Sequence, residues 1–259
     1  MQNVKGTRNE IHFSEYSYIL GLLKNIFNTN SFKEIKVPTI EQLELFQRSL
    51  GVTTDIIKKE MFLIKNIHED KENLCLRPEI TTSIIKAYLN ENVNMSPWLV
   101  YSIGQVFRYE RPQKGRYREF SQCSIEAINA KSELYDAQLI KTLDIFFTEI
   151  DIKNYEIEIN FIGTIEDRKK YWKVLKKYAE NIYVKTKNKQ LKEMIDLNPF
   201  RLLDAKDSEI KDHMKNAPMI VDYLCEESKQ SFEKLKNFLK TLNLKYIEKY
   251  RLMRGLDYY

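Results

Sequence analysis

The chain predicts an α+β protein, on three observations. Two strand-like arms flank a cationic turn between Gly104 and Glu126, which reads as an antiparallel hairpin. Amphipathic helical stretches, with short strands between them, lie on either side of it. From Gly163 to about Leu242 the pattern becomes lysine-rich and helical, with no strand interrupting it.

Taken in order, Ser14 and Glu15 read as a helix start, and Ile19, Leu20, Leu22, Leu23, Ile26 and Phe27 supply the helical period. Glu34 to Val37 alternates as a short strand, stopped by Pro38, which cannot donate to a sheet ladder. Taken alone, that unit is simply a structural edge. Glu41 to Leu50 is amphipathic. Lys59 to Ile64 and Asn73 to Leu76 read as short strands, and Thr82 to Leu89 as a helix. Glu79 and Thr81 fall at that strand-to-helix junction, where side chains can point into a cleft. The alternative is that Thr81 or Thr82 merely caps the helix. Ser132 to Phe147 is a strongly amphipathic helix, Glu156 to Ile162 a strand, and Leu244 to Tyr250 strand-like again. Between the last two, helices are expected at Ile165 to Ala179, Gln190 to Ile195, Ser208 to Asn216 and Glu226 to Leu242. The expected division is 1–162, a helical insertion at 163–243, and a return strand at 244–259.

Composition bounds the function. Hydrophobic residues at 43% and charged residues at 31% are ordinary for a soluble globular protein. The net charge of +5 permits a polyanionic partner without demanding one. Cys75, Cys123 and Cys225 lie far apart and form no CxxC pair, which suggests neither zinc nor disulfides and fits a reducing cytosol. His12, His68 and His213 are equally scattered, so no metal site is expected. No apolar run is long enough to cross a membrane. A cytoplasmic location is expected.

The hairpin is the informative stretch. Arg108, Arg111, Lys114, Arg116 and Arg118 crowd around Pro112 and Gly115, and such cations repel one another unless an anion sits among them. Arginine's planar fork suits phosphate oxygens. The plainer alternative is a solvated basic loop.

At Arg77-Pro78-Glu79, at FRYERPQKGRYREF (107–120) and at RGLDYY (254–259), the sequence resembles class II aminoacyl-tRNA synthetases, and more narrowly histidyl-tRNA synthetases. The hairpin resembles the family's motif 2, and the unit ending at Pro38 its motif 1. KGTR (5–8), Thr54 to Ile57 with the following KEM, and NPFRLLD (198–204) add to the match. The resemblance implies an antiparallel sheet flanked by helices, a homodimer formed through motif 1, and a helical insertion after motif 2. It implies activation of L-histidine with ATP and Mg2+ to histidyl-adenylate, then transfer to histidine tRNA. On the same ground Arg108 holds the α-phosphate and Arg116 the outer phosphates, with Glu110 also at ATP. Arg254 is the further cation near the carboxylate and α-phosphate. Glu79, Thr81 and Gln122 surround the amino group, while Glu126 and Tyr258 read the imidazole, with Tyr259 beside them.

The sequence departs from the family pattern at Ile80 and Ser124, where glycine is usual, and at Tyr109, where histidine is common. A β-branched Ile80 would resist a left-handed backbone. The family's motif 3 and anticodon-binding domain have no counterpart in these residues, so the polypeptide as given is expected to be an incomplete, inactive part of such an enzyme. Two other readings stand beside it. One is the non-catalytic, histidine-binding regulatory subunit of ATP phosphoribosyltransferase, which generally lacks so full a motif 2. The other is an inactive dimerising remnant.

Overall fold

The computed structural model describes residues 10–51, 54, 56–65, 73–91, 96–111, 113 and 115–253. The chain divides into two compact units, one running to Ile152 and one beginning at Lys153.

In the first unit, helix α1 (Glu10–Thr29) leads into strand β1 (Lys33–Glu34). The strand expected at Glu34 to Val37 is therefore shorter and earlier. After Ile35 donates to Tyr101 O at 2.9 Å, the carbonyls of Val37 and Pro38 turn to the Arg77 side chain instead of a ladder. Strand β2 (Ile40–Gln42) and helix α2 (Leu43–Leu50) follow. The helical period read from Glu41 starts two residues later because Ile40 to Gln42 pair with Leu74 to Leu76. A π-helical turn (Ile56–Glu60) occupies the start of the strand expected from Lys59, leaving β3 as Phe62–Leu63. Strand β4 (Leu74–Leu76) runs into α3 (Thr81–Asn90). The long hairpin of β5 (Trp98–Phe107) and β6 (Glu119–Ile128) comes next, and α4 (Glu133–Glu149) closes the unit.

Antiparallel pairing dominates. β5 and β6 match from Trp98↔Ile128 to Phe107↔Glu119, and β2–β4–β3 form a second antiparallel sheet. β1 adds to the edge of β5 in parallel. Alternation along β5 sorts its side chains to two faces. Tyr101 packs with Ile26, Phe27 and Phe32, next to Leu139 and Phe146 of α4. Val100 and Val106 pack with Val37, Ile80 and Ile84. Phe46, Leu50, Ile56 and Cys75 form a third cluster.

The second unit is mostly helical: α5 (Ile165–Thr186), α6 (Lys189–Leu197), α7 (Ser208–Met214) and α8 (Glu226–Thr241). Two 3-10 segments, Pro199–Asp204 and Ile220–Tyr223, connect them. The Asn198 side chain accepts from Phe200 N at 3.1 Å, which starts the first of these immediately after α6. Short strands β7 (Glu158–Ile159) and β8 (Ile247–Glu248) pair in parallel. One continuous apolar core, including Tyr171, Leu175, Leu191, Ile195, Leu202 and Ile220, fills the unit. Among the described residues, no helix is long and apolar enough to cross a membrane.

Candidate active site

Strand alternation places Gln122, Ser124 and Glu126 of β6 on one face of the hairpin, opposite Gly104, Ser102 and Val100 of β5. Phe120 joins this face, and Ser121 falls with Cys123 and Ile125 on the other. Ser121 Oγ there lies 2.7 Å from Tyr16 Oη. The first turn of α3 meets the polar face. Thr81 Oγ1 donates to Glu126 Oε1 at 2.6 Å, Ser124 Oγ donates to the same oxygen at 2.8 Å, and the two hydroxyls lie 2.8 Å apart. Glu126 Oε2 takes no hydrogen bond among the described residues.

Glu79 sits just before α3 and is buried, at 2% exposure. Its Oε1 accepts from Thr82 N at 3.0 Å. The helix end is therefore capped by Glu79, and neither threonine side chain serves as the cap. A carboxylate at a helix N-terminus also suits the local dipole. Glu79 Oε2 is buried with no hydrogen-bond partner among the described residues, and so is Gln122 Oε1. Buried polar atoms in folded proteins are almost always satisfied, so open acceptors of this kind ask for a donor. An ammonium group, with three donors and no acceptor, is the matching chemistry.

Beyond Phe107 the hairpin turns cationic. Arg108 Nε donates to Pro78 O at 2.9 Å, and the guanidinium lies 5.2 Å from the Phe120 ring centroid. Its Nη1 and Nη2 carry no hydrogen bond among the described residues, so its fork remains available to an anion. Arg116 Nη1 lies 3.2 Å from Glu110 Oε2, and Gly115 turns the loop with φ +79°. Half-exposed Tyr109 is held by Arg118, 3.9 Å above its ring, and by Phe62, edge-on at 5.5 Å. Tyr109 N also donates to Glu60 O at 2.7 Å.

Two departures from the family pattern acquire a physical account. Ile80 adopts φ −103° and ψ −32°, a right-handed conformation that a β-branched residue tolerates, and it is fully buried against Ile84 and Val106. Ser124 supplies a hydroxyl to Glu126 that a glycine could not.

Of the site residues expected from sequence, Glu79, Thr81, Gln122 and Glu126 gather around the hairpin face and the α3 corner. Arg108 hangs from that corner through Pro78. Glu110 and Arg116 pair with each other further along the loop. Arg254, Tyr258 and Tyr259 lie outside the described residues, as does the KGTR stretch. Sequence reasoning used Arg77 only as part of a motif and gave no role to it, though it is buried near Glu79, or to Gly104, which faces it. A glycine inside a strand pattern was the available signal.

The model of the family described as Histidyl-tRNA synthetase matches residues 10–249. A curated histidine–tRNA ligase of Thermodesulfovibrio yellowstonii is 39% identical over 95% of this chain, and one of Halothermothrix orenii is 40% identical over 95%. The chain spans 60% and 58% of the lengths of those relatives. Among solved structures, apo histidyl-tRNA synthetase of S. aureus superposes with a TM-score of 0.77 at 27% identity, covering 100% of this chain and 59% of that one. With the fold, the motif 2 hairpin and these matches in agreement, the chain belongs to the histidyl-tRNA synthetase family.

Proposed function

We propose that this chain carries the histidine-activating core of a histidine–tRNA ligase. The carrying observation is the juxtaposition, at the β4–α3 corner, of unpaired buried acceptors and an arginine with a free fork. Glu79 Oε2 and Gln122 Oε1 suit the α-amino group of L-histidine, with Thr81 nearby. Glu126, braced by Thr81 and Ser124, accepts from the imidazole N–H, and a ligand side chain that offers no matching donor would leave this acceptor unpaired and be penalised. Arg108 meets the α-phosphate as histidine's carboxylate attacks, where charge stabilisation is most effective. Arg116, released from Glu110, would meet the outer phosphates of ATP. Arg254, Tyr258 and Tyr259 complete the site in this reading.

MgATP enters as the substrate, because Mg2+ is usually held by phosphates with one or two carboxylates. Among the described residues no group of three His, Cys, Asp or Glu side chains could hold a metal ion. The acceptor for the histidyl group is the terminal ribose of histidine tRNA. Residues 1–162 and 244–259 make up the catalytic core in this reading, with the helical insertion at 163–243. A second copy pairs through the motif 1 region, where α1 leaves Ile11, Phe13 and Tyr18 each more than half exposed. The reaction belongs to the cytoplasm, and the free thiols of buried Cys75 and half-buried Cys123, pushed up to about 12 by burial, fit a reducing compartment.

The test is histidine-dependent exchange of pyrophosphate into ATP, by the 259-residue chain and by the product of its full reading frame. Exchange in either supports the ligase. Histidine binding without exchange in both would favour the regulatory-subunit reading, and neither binding nor exchange would sink both.

A further inference from the structure

Gly104 stands in the middle of β5, where a glycine weakens a strand and offers nothing to pack. Arg77 takes up the room. A Cβ at Gly104 would lie 2.1 Å from Arg77 Nη2. The Arg77 side chain is 4% exposed and spreads over two neighbouring segments. Nε donates to Gln105 O at 2.9 Å, and Nη1 donates to Val37 O at 2.8 Å and Pro38 O at 3.0 Å. Its main chain repeats the link: Arg77 N donates to Thr39 O, and Arg77 O accepts from Phe107 N, both at 3.0 Å.

Burial pulls the Arg77 guanidinium below its usual range, while Glu41 and Glu79 hold it up. Glu41 is itself buried and pairs with Lys86 at 2.6 Å. Retaining a charge in this place is costly unless its donors are used. The segments it joins border the candidate site. Glu79 lies two residues on, Gln122 pairs with Gly104, and Arg108 follows Phe107.

We infer that Arg77, seated by Gly104, is a positioning residue that sets the spacing between the Glu79 corner and Arg108 on the hairpin. This rests on the ligase reading above. Lysine cannot replace it, because a single ammonium on a flexible stem does not span carbonyls that the planar fork reaches together. A clamp of this kind governs turnover, since a displacement near 1 Å between reacting groups can cost about 100-fold.

The experiment uses Gly104→Ala, Arg77→Lys and the double variant in the polypeptide of the full reading frame. Kinetics of histidine-dependent pyrophosphate exchange are read alongside deuterium uptake at 37–39 and 104–108. Gly104→Ala is expected to lower kcat by about 10- to 100-fold, while KM for histidine moves by about threefold at most. The double variant is expected to be no worse than Arg77→Lys alone, because the shorter head leaves space for the methyl group. Deuterium uptake at both segments should rise in each variant. Unchanged kcat in Gly104→Ala, or a loss that only follows the unfolded fraction, would overturn the inference. If the unaltered protein shows no exchange, the ligase reading falls. The clamp then stands or falls on deuterium uptake alone: faster uptake in Gly104→Ala supports it and unchanged protection removes it.

Discussion

Asp167 in the second unit and Glu79 in the first are both buried carboxylates, and their oxygens are used in opposite ways. Asp167 is saturated. Oδ2 accepts from Ser228 Oγ at 2.5 Å and from Thr164 N and Oγ1 at 3.1 Å, and Oδ1 accepts from Cys225 N at 2.9 Å. Burial alone would raise its pKa, but the bonds from Ser228, Thr164 and Cys225 outweigh it and hold the carboxyl at about 2. Glu79 spends one oxygen on the α3 N-terminus and leaves the other open. The surroundings differ in the same sense. Asp167 joins the ends of two helices around one continuous apolar core. Glu79 lies among Glu41, Arg77 and Ser83, which are also buried, and the apolar residues of its unit fall into smaller clusters. A saturated buried carboxylate secures a fold, whereas an unsaturated one keeps capacity for a ligand.

That contrast can be broken by substitution, beginning with the largest effect. Arg108→Ala in the full-reading-frame protein should lower kcat for pyrophosphate exchange by about 100-fold with little change in melting temperature, since in the proposed reaction the lost group acts on charge developing in the transition state. A comparable loss of stability would instead make Arg108 a structural strut through Pro78.

Asp167→Asn should show the reverse pattern. Stability measured by urea denaturation at pH 7 should fall by about 2 kcal/mol, from loss of charge-assisted bonds to Ser228, Thr164 and Cys225. The sign of the pH effect follows from a depressed folded pKa. The stabilisation is present above the unfolded value of about 4 and drains away as pH falls towards about 2. The variant should lack that drop, and an unchanged acid profile would remove Asp167 as its source.

Glu126→Gln should raise KM for histidine about tenfold while KM for ATP moves far less, as expected for one charged hydrogen bond. Equal changes in both would detach Glu126 from the imidazole. The smallest effect belongs to Lys169→Ala. The Lys169–Glu166 pair is exposed by 66% and 72%, and its loss should shift stability by about 0.5 kcal/mol at most. A larger shift would show that surface charge contributes to the second unit beyond its core.

Much of this molecule was legible in the sequence because periodicity and local chemistry are local properties. The hairpin was announced by its alternation and its Pro and Gly. The helices of the second unit were announced by apolar spacing, whereas the Thr164 to Asp167 capping box that starts α5 emerged only in the structure. The residue types of the candidate site came from a motif. What pattern could not give were features that depend on partners distant in sequence. β1 is short because Arg77, about 40 residues on, takes the carbonyls that a longer ladder would have used. The parallel β7–β8 pair joins segments about 90 residues apart. Ile80 looked like a misfit for a left-handed turn until its dihedrals proved right-handed.

The sequence by itself determined which segments would be helix or hairpin, and which charged groups would cluster at the turn. Only the tertiary structure decided which buried oxygens are spent and which remain open. Thr81 and Ser124 converge on one oxygen of Glu126, and Arg77 occupies the space that Gly104 vacates. The reason is physical: a hydrogen bond is a relation between two places in space, and the chain reveals only one of them at a time.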